Sequence, residues 1–165
     1  MQKIIFLDID GPMIPSTSFL MDTPLGNPSY EQILDDRCVM VLHKIIKDTG
    51  AKIVFNTTHN QNLYSTDETS GGWLPGLVGQ FEKAGFKDHI HQHNCTKYPH
   101  YDRLTCIKEW LRSQPIEEEI RWVALDDVKM LDKRCYLVDE EYGIGISAYK
   151  HCLYWLNKGG DIEKL

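Results

Sequence analysis

The chain alternates short apolar runs with longer segments whose apolar residues recur at helical spacing. The first run, Ile4-Ile5-Phe6-Leu7, has no room for a helical period and predicts a buried strand over 3–8. Pro12, Pro15, Pro24, Gly26 and Pro28 then predict a loop or small excursion over 11–30. Val39, Leu42 and Ile46 mark the inner stripe of a helix starting at Tyr30 or Asp36, reaching Asp48 and stopped by Gly50. Ala51–Phe55 reads as a second buried strand, running into Asn56-Thr57-Thr58-His59-Asn60. Residues 61–72 are polar and glycine-rich and predict a mobile loop. A short helix over Gly76–Ala84 and a weak strand near His89–His91 follow. Leu104, Ile107 and Leu111 predict a helix over Asp102–Ser113, ended by Pro115. Arg121–Leu125 is a further apolar strand and runs into Asp126-Asp127. Tyr136–Val138 is another strand, and Ser147 is placed to cap a last helix over Ala148–Asn157, stopped by Gly159-Gly160.

Strands separated by helices imply an α/β fold: a three-layer, Rossmann-like arrangement with a central parallel sheet and helices on both faces. The 165 residues fit a single domain, 1–165, with no internal repeat or linker. A hydrophobic fraction of 42% and a charged fraction of 25% are those of an ordinary globular protein. The first residues show no secretory pattern, and no apolar run approaches membrane-spanning length. Five scattered cysteines without a Cys-x-x-Cys pair predict reduced thiols in a cytoplasmic setting. A net charge of -6 argues against broad nonspecific nucleic-acid binding. It argues less against a nucleic-acid end as substrate, because a carboxylate-rich metal site would itself supply part of that excess.

The chemistry lies where strands stop. Asp8 and Asp10, two apart in an extended segment, project to the same side while Ile9 turns away. A core strand has no structural use for adjacent unpaired carboxylates. In an open α/β sheet the carboxyl ends of parallel strands lie along one edge, where ligands bind. Asp8/Asp10, Asn56/Thr57/Thr58 and Asp126/Asp127 should therefore converge, giving a hard-oxygen set suited to Mg²⁺.

Asp8-Ile9-Asp10-Gly11, Thr57, a basic residue on a later helix and Leu125-Asp126-Asp127, in this order at strand ends, resemble the haloacid dehalogenase (HAD) superfamily of phosphatases. The segments Arg103–Leu111 and Val123–Asp127 are similar to small HAD domains of RNA-repair proteins. The resemblance implies an Mg²⁺-dependent phosphomonoesterase in which Asp8 forms an aspartyl-phosphate and Asp10 serves as general acid, then base. It implies a metal held by Asp8, the backbone carbonyl of Asp10 and Asp127, with Asp126 in support. Thr57 would hold phosphoryl oxygens and Arg103 would offset developing charge; Lys97 is a rival basic residue and Lys108 shares the Arg103 helix. Thr58, a rival of Thr57, and His59 join Lys97 as substrate contacts. The short insertions, about 11–30 and 61–75, imply an open site without a cap domain. A nucleotide or a phosphorylated nucleic-acid end is the implied substrate. Met13-Ile14 and the stiff Gly11-Pro12 step depart from the small or hydroxyl residues common after Asp-x-Asp-Gly.

Two rival functions use similar residues. A signalling receiver domain also gathers acids, a threonine and a lysine, but its acceptor aspartate ends a later strand than its acidic pair. A non-catalytic phosphate-binding or interaction module on the same fold would not need the general acid Asp10. The run His89, His91, His93, Cys95 alternates strictly. On a straight strand these side chains would be spaced about 7 Å per step, too wide to share one ion, so a polar edge strand is expected. Trp73 and Tyr64 could stack on a base or serve as lid or packing residues, while Trp110 and Trp155 are expected in the core.

Overall fold

The computed structural model describes residues 1–21, 34–58, 76–97, 102–115 and 119–158. Within them the elements are β1 (Gln2–Leu7), α1 (Ser16–Met21), α2 (Asp36–Thr49), β2 (Lys52–Phe55), α3 (Leu77–Lys83), β3 (Ile90–Cys95), α4 (Arg103–Arg112), β4 (Ile120–Asp126), β5 (Cys135–Leu137) and α5 (Ile146–Leu153). The five strands form one sheet in the order β3-β2-β1-β4-β5, with every pairing parallel. This is the expected α/β architecture.

The central position of β1 explains its apolar run. Ile5 and Leu7 face one layer, with Leu42, Ile45, Ile46, Phe81 and Cys152 from α2, α3 and α5. Ile4 and Phe6 face the other, with Leu104, Ile107 and Trp110 of α4 and Trp122 of β4. Because both faces are covered, apolar residues occupy consecutive positions rather than alternate ones. The Phe6 ring meets Trp110 and Trp122 edge-on at 5.3 and 5.7 Å.

Helix ends follow local chemistry. The Asp35 carboxylate caps α2 by accepting from the Arg37 and Cys38 backbone N–H groups, at 2.8 and 3.3 Å. Gly50, at φ 70°, closes it by donating its N–H to Ile46 O. The buried stripe of α2 is Cys38, Leu42, Ile45, Ile46 and Thr49, whereas Val39 is half-buried.

Several expectations need correction. Ser16–Met21 is a short helix inside the stretch read as loop, and residues 22–33, Tyr30 among them, lie outside the described residues. Ser147 is not a cap: α5 starts one residue earlier, and the cap position is Gly145, which has no side chain to offer. His89 belongs to a 3₁₀ turn, Lys87–His89, before β3. On β3, Ile53 pairs with Ile90 but Phe55 with Cys95, so the strand bulges and strict alternation fails. His91 is buried against Trp110 while His93 is exposed. Trp110 is core as expected, but Trp155 is half-buried. Tyr64, Trp73 and the loop 61–72 lie outside the described residues. None of the five cysteines is in a disulfide, and no helix among the described residues is long and apolar enough to cross a membrane.

Candidate active site

Parallel register assembles the site. Leu7 pairs with Phe55 on one side and Leu125 on the other, so the next residues, Asp8, Asn56 and Asp126, stand abreast at the carboxyl edge. The backbone fixes this: Asp8 N–H donates to Leu125 O at 3.0 Å and Asn56 N–H to Leu7 O at 2.9 Å. Val138 N–H, after β5, donates to Asp126 O at 2.8 Å.

Oxygens of Asp8, Asp126 and Asp127 lie within 4.8 Å of one another, with Asp8 and Asp126 buried and Asp127 half-buried. Among the described residues, the Arg103 guanidinium opposes these three carboxylates. Arg103, the first residue of α4, places Nη1 2.8 Å from Asp8 Oδ2 and donates it to Asp126 Oδ2 at 3.0 Å and Asn56 O at 2.9 Å. Thr57 is fully buried, and its hydroxyl donates to the Asp8 carboxyl. Burial pushes the Asp8 pKa up, against the Arg103 charge and the bonds from Arg103, Ile9 N–H and Thr57. Asp126 is pushed up to about 7, first by burial and then by repulsion from Asp8; Arg103 and the Val128 N–H act the other way. The same two carboxylates hold the Arg103 pKa above its ordinary value despite burial, so it stays charged.

These residues fit a hard divalent cation. Asp8 Oδ2 is buried and accepts no hydrogen bond among the described residues, its 2.8 Å contact with Arg103 Nη1 being an ion pair. Three clustered carboxylates, opposed among the described residues by the Arg103 guanidinium, leave negative charge that a hard ion would neutralise.

Asp10 stands apart. It is exposed on the turn that follows β1, and its carboxylate is not part of the acidic cluster. The turn closes through Met13 and Ile14 N–H groups donating to Ile9 O, at 2.9 and 3.0 Å, and Gly11 N–H donating to Ile14 O. Met13 and Ile14 are buried core residues, which accounts for the departure from small residues at these positions: they anchor the turn. Thr58 and Lys97 are exposed, and His59 lies outside the described residues.

Asn56 was legible only as part of a polar run, and Thr96 was missed. The Thr96 hydroxyl donates to Asn56 Oδ1 at 2.7 Å, with both residues buried. The available signal was position, since Thr96 is the first residue beyond β3 as Asn56 is beyond β2.

An acidic turn after the central strand, with an acidic pair after the strand beside it, defines a domain of the HAD superfamily. Its place within that superfamily is also shown. The chain belongs to the family described as HAD domain in Swiss Army Knife RNA repair proteins, whose family model matches residues 4–150. No curated protein and no solved structure matches it.

Proposed function

We propose that the protein is an Mg²⁺-dependent phosphomonoester hydrolase acting through an aspartyl-phosphate, with a nucleotide or a phosphorylated nucleic-acid end as substrate. The observation that carries this reading is the convergence of Asp8, Asp126 and Asp127 around the buried, donor-poor Oδ2 of Asp8. The RNA-repair family supports the substrate class.

In this reading Asp8, Asp126, Asp127 and the backbone carbonyl of Asp10 hold Mg²⁺, which offsets the repulsion between carboxylate and phosphate. An Asp8 oxygen attacks phosphorus, and the bond from phosphorus to the leaving oxygen breaks. Asp10 gives its proton to that oxygen. It then takes a proton from a water, whose oxygen attacks phosphorus, breaks the bond to Asp8 and frees inorganic phosphate. Thr57 and neighbouring backbone N–H groups hold phosphoryl oxygens, with Thr58, His59 and Lys97 as contacts further out along the substrate. The contacts of Arg103 with Asp8 and Asp126 favour it over Lys97 as the group that neutralises the transferring phosphoryl. Its charge also opposes protonation of Asp8, which must be ionised to attack.

The domain is read as a single unit without a cap, leaving the site open to a large substrate. Five cysteines outside any disulfide support a cytoplasmic setting. The test is release of phosphate from phosphorylated metabolites, nucleotides and 3′- or 5′-phosphorylated oligonucleotides with Mg²⁺, against Asp8→Asn. If wild type and Asp8→Asn are equally inactive across the panel, a non-catalytic phosphate-binding module replaces this reading.

A further inference from the structure

Arg103 is held by more than the carboxylates it neutralises. Its Nη1 also donates to the backbone carbonyl of Asn56 at 2.9 Å, a neutral acceptor just beyond β2. That carbonyl belongs to a residue held at three points. Asn56 N–H is tied to Leu7 O, its carbonyl receives Arg103, and its side-chain Oδ1 accepts the Thr96 hydroxyl at 2.7 Å. Thr96 is anchored in turn by its own N–H donating to Phe55 O at 3.0 Å, at the end of β2. Asn56 and Thr96 are both buried, so water cannot substitute freely for a lost partner.

We propose that Thr96 is a positioning residue that acts through Asn56 to set where the Arg103 guanidinium points. Nη1 carries two protons, donates to Asn56 O and Asp126 Oδ2, and forms an ion pair with Asp8 Oδ2. The fixed carbonyl decides the orientation: with it in place, the group can turn from carboxylate to phosphoryl oxygen without leaving the site. Without the Thr96 hydroxyl, Asn56 Oδ1 is left buried and unsatisfied, the end of β2 relaxes, and the anchor shifts. Buried groups one step removed from the reacting atoms commonly act this way.

The catalytic consequence rests on the phosphatase reading; the positioning does not. The test compares Thr96→Val, which keeps the branched shape, with Thr96→Ser, which keeps the hydroxyl. Thr96→Ala stands in if the valine variant does not fold, as judged by circular dichroism. The first readout is the ¹⁵N-resolved guanidinium signal of Arg103 in the full chain without added metal, assigned by its loss in Arg103→Lys. Slowly rotating, resolved Nη groups are expected in wild type and Thr96→Ser, and averaged ones in Thr96→Val. A Thr96→Val signal like that of wild type, or an averaged signal in wild type itself, overturns the proposal. The second readout is phosphate release, where kcat is expected to fall about tenfold in Thr96→Val with KM little changed, and to recover in Thr96→Ser. An unchanged kcat in Thr96→Val overturns the catalytic consequence, and the guanidinium signal decides the positioning. A wild type releasing no phosphate removes the phosphatase reading instead, and the guanidinium signal alone then decides whether Thr96 positions Arg103.

Discussion

Gly11, beyond β1, and Asp127, beyond β4, are packed so closely that Gly11 has no room for a side chain. A Cβ there would lie 2.9 Å from Asp127 Cβ and 3.2 Å from its Oδ2. The glycine also has φ 76°, a conformation other residues adopt at a cost. Gly11→Ala should therefore destabilise the fold by about 1–3 kcal/mol and push Asp127 away from its partners. Gly50 provides the control, because it has φ 70° but nothing within 4 Å. Gly50→Ala should show the backbone cost alone. Thermal unfolding with and without Mg²⁺ separates them: only Gly11→Ala should lose the stabilisation that Mg²⁺ gives. Equal responses would mean that the crowding at Asp127 is inconsequential.

The raised acids of the site predict an unusual pH response for the metal-free protein. Asp126 has a folded pKa of about 7 against an ordinary value of 3.8, so the folded state binds more protons than the unfolded one between them. Its contribution to stability is present in full below about pH 4 and is lost as pH rises through about 7. Asp8 shifts in the same direction. With chelator, the melting temperature should therefore rise as pH is lowered from about 8 to about 5. With Mg²⁺ the trend should flatten or reverse, because a bound cation favours the ionised carboxylates. Asp126→Asn should raise the metal-free melting temperature at about pH 8 and remove most of the slope. A flat metal-free profile would contradict this account of the cluster.

At the other end of the pH range Asp35 acts oppositely. Burial alone would raise its pKa, but bonds from Arg37, Ser18 and the Cys38 and Arg37 N–H groups hold it at about 2. Its contribution is present above the ordinary value of 3.8 and is lost as pH falls through about 2. As the α2 cap it should cost about 1 kcal/mol when changed to Ala, and less when changed to Asn, which can still accept the backbone N–H groups. Urea unfolding at neutral pH measures the difference, and an Asn variant as weak as Ala would assign the effect to the Arg37 and Ser18 contacts instead.

These results mark which parts of the fold the residue pattern could reveal. Ile4–Leu7 and Val123–Leu125 are buried on both faces, so their runs are uninterrupted and their acidic ends conspicuous. Parallel register then brings Asp8 and Asp126 abreast, although 118 residues separate them in the numbering (126 less 8). The His91–Cys95 segment is the edge strand expected, but its strict alternation fails because a bulge against β2 is set by tertiary packing, and no local residue announces it. Ser147 looked like a cap because serine favours that position, yet the chain turns into α5 at Gly145. Thr96 was invisible for a third reason: its partner Asn56 lies 40 residues away, and only the β2–β3 pairing brings them together.

Asp10 offers the sharpest test of the proposed chemistry, because its exposed carboxylate lies outside the acidic cluster while its backbone carbonyl is assigned to the metal. Asn at this position keeps the carbonyl and the size of the side chain but cannot donate and recover a carboxylic proton. Asp10→Asn should therefore lower kcat by about 10²–10⁴-fold while leaving the Mg²⁺ dissociation constant, read by calorimetry, within about twofold of wild type. The loss should be smaller for substrates with good leaving groups, such as p-nitrophenyl phosphate, whose departing oxygen needs little protonation. Asp127→Asn should show the reverse pattern, with metal affinity falling first and activity partly restored by excess Mg²⁺. Loss of metal binding in Asp10→Asn, or an equal loss of rate on good and poor leaving groups, would remove Asp10 from the acid–base role and return it to the mouth of the site as a structural residue.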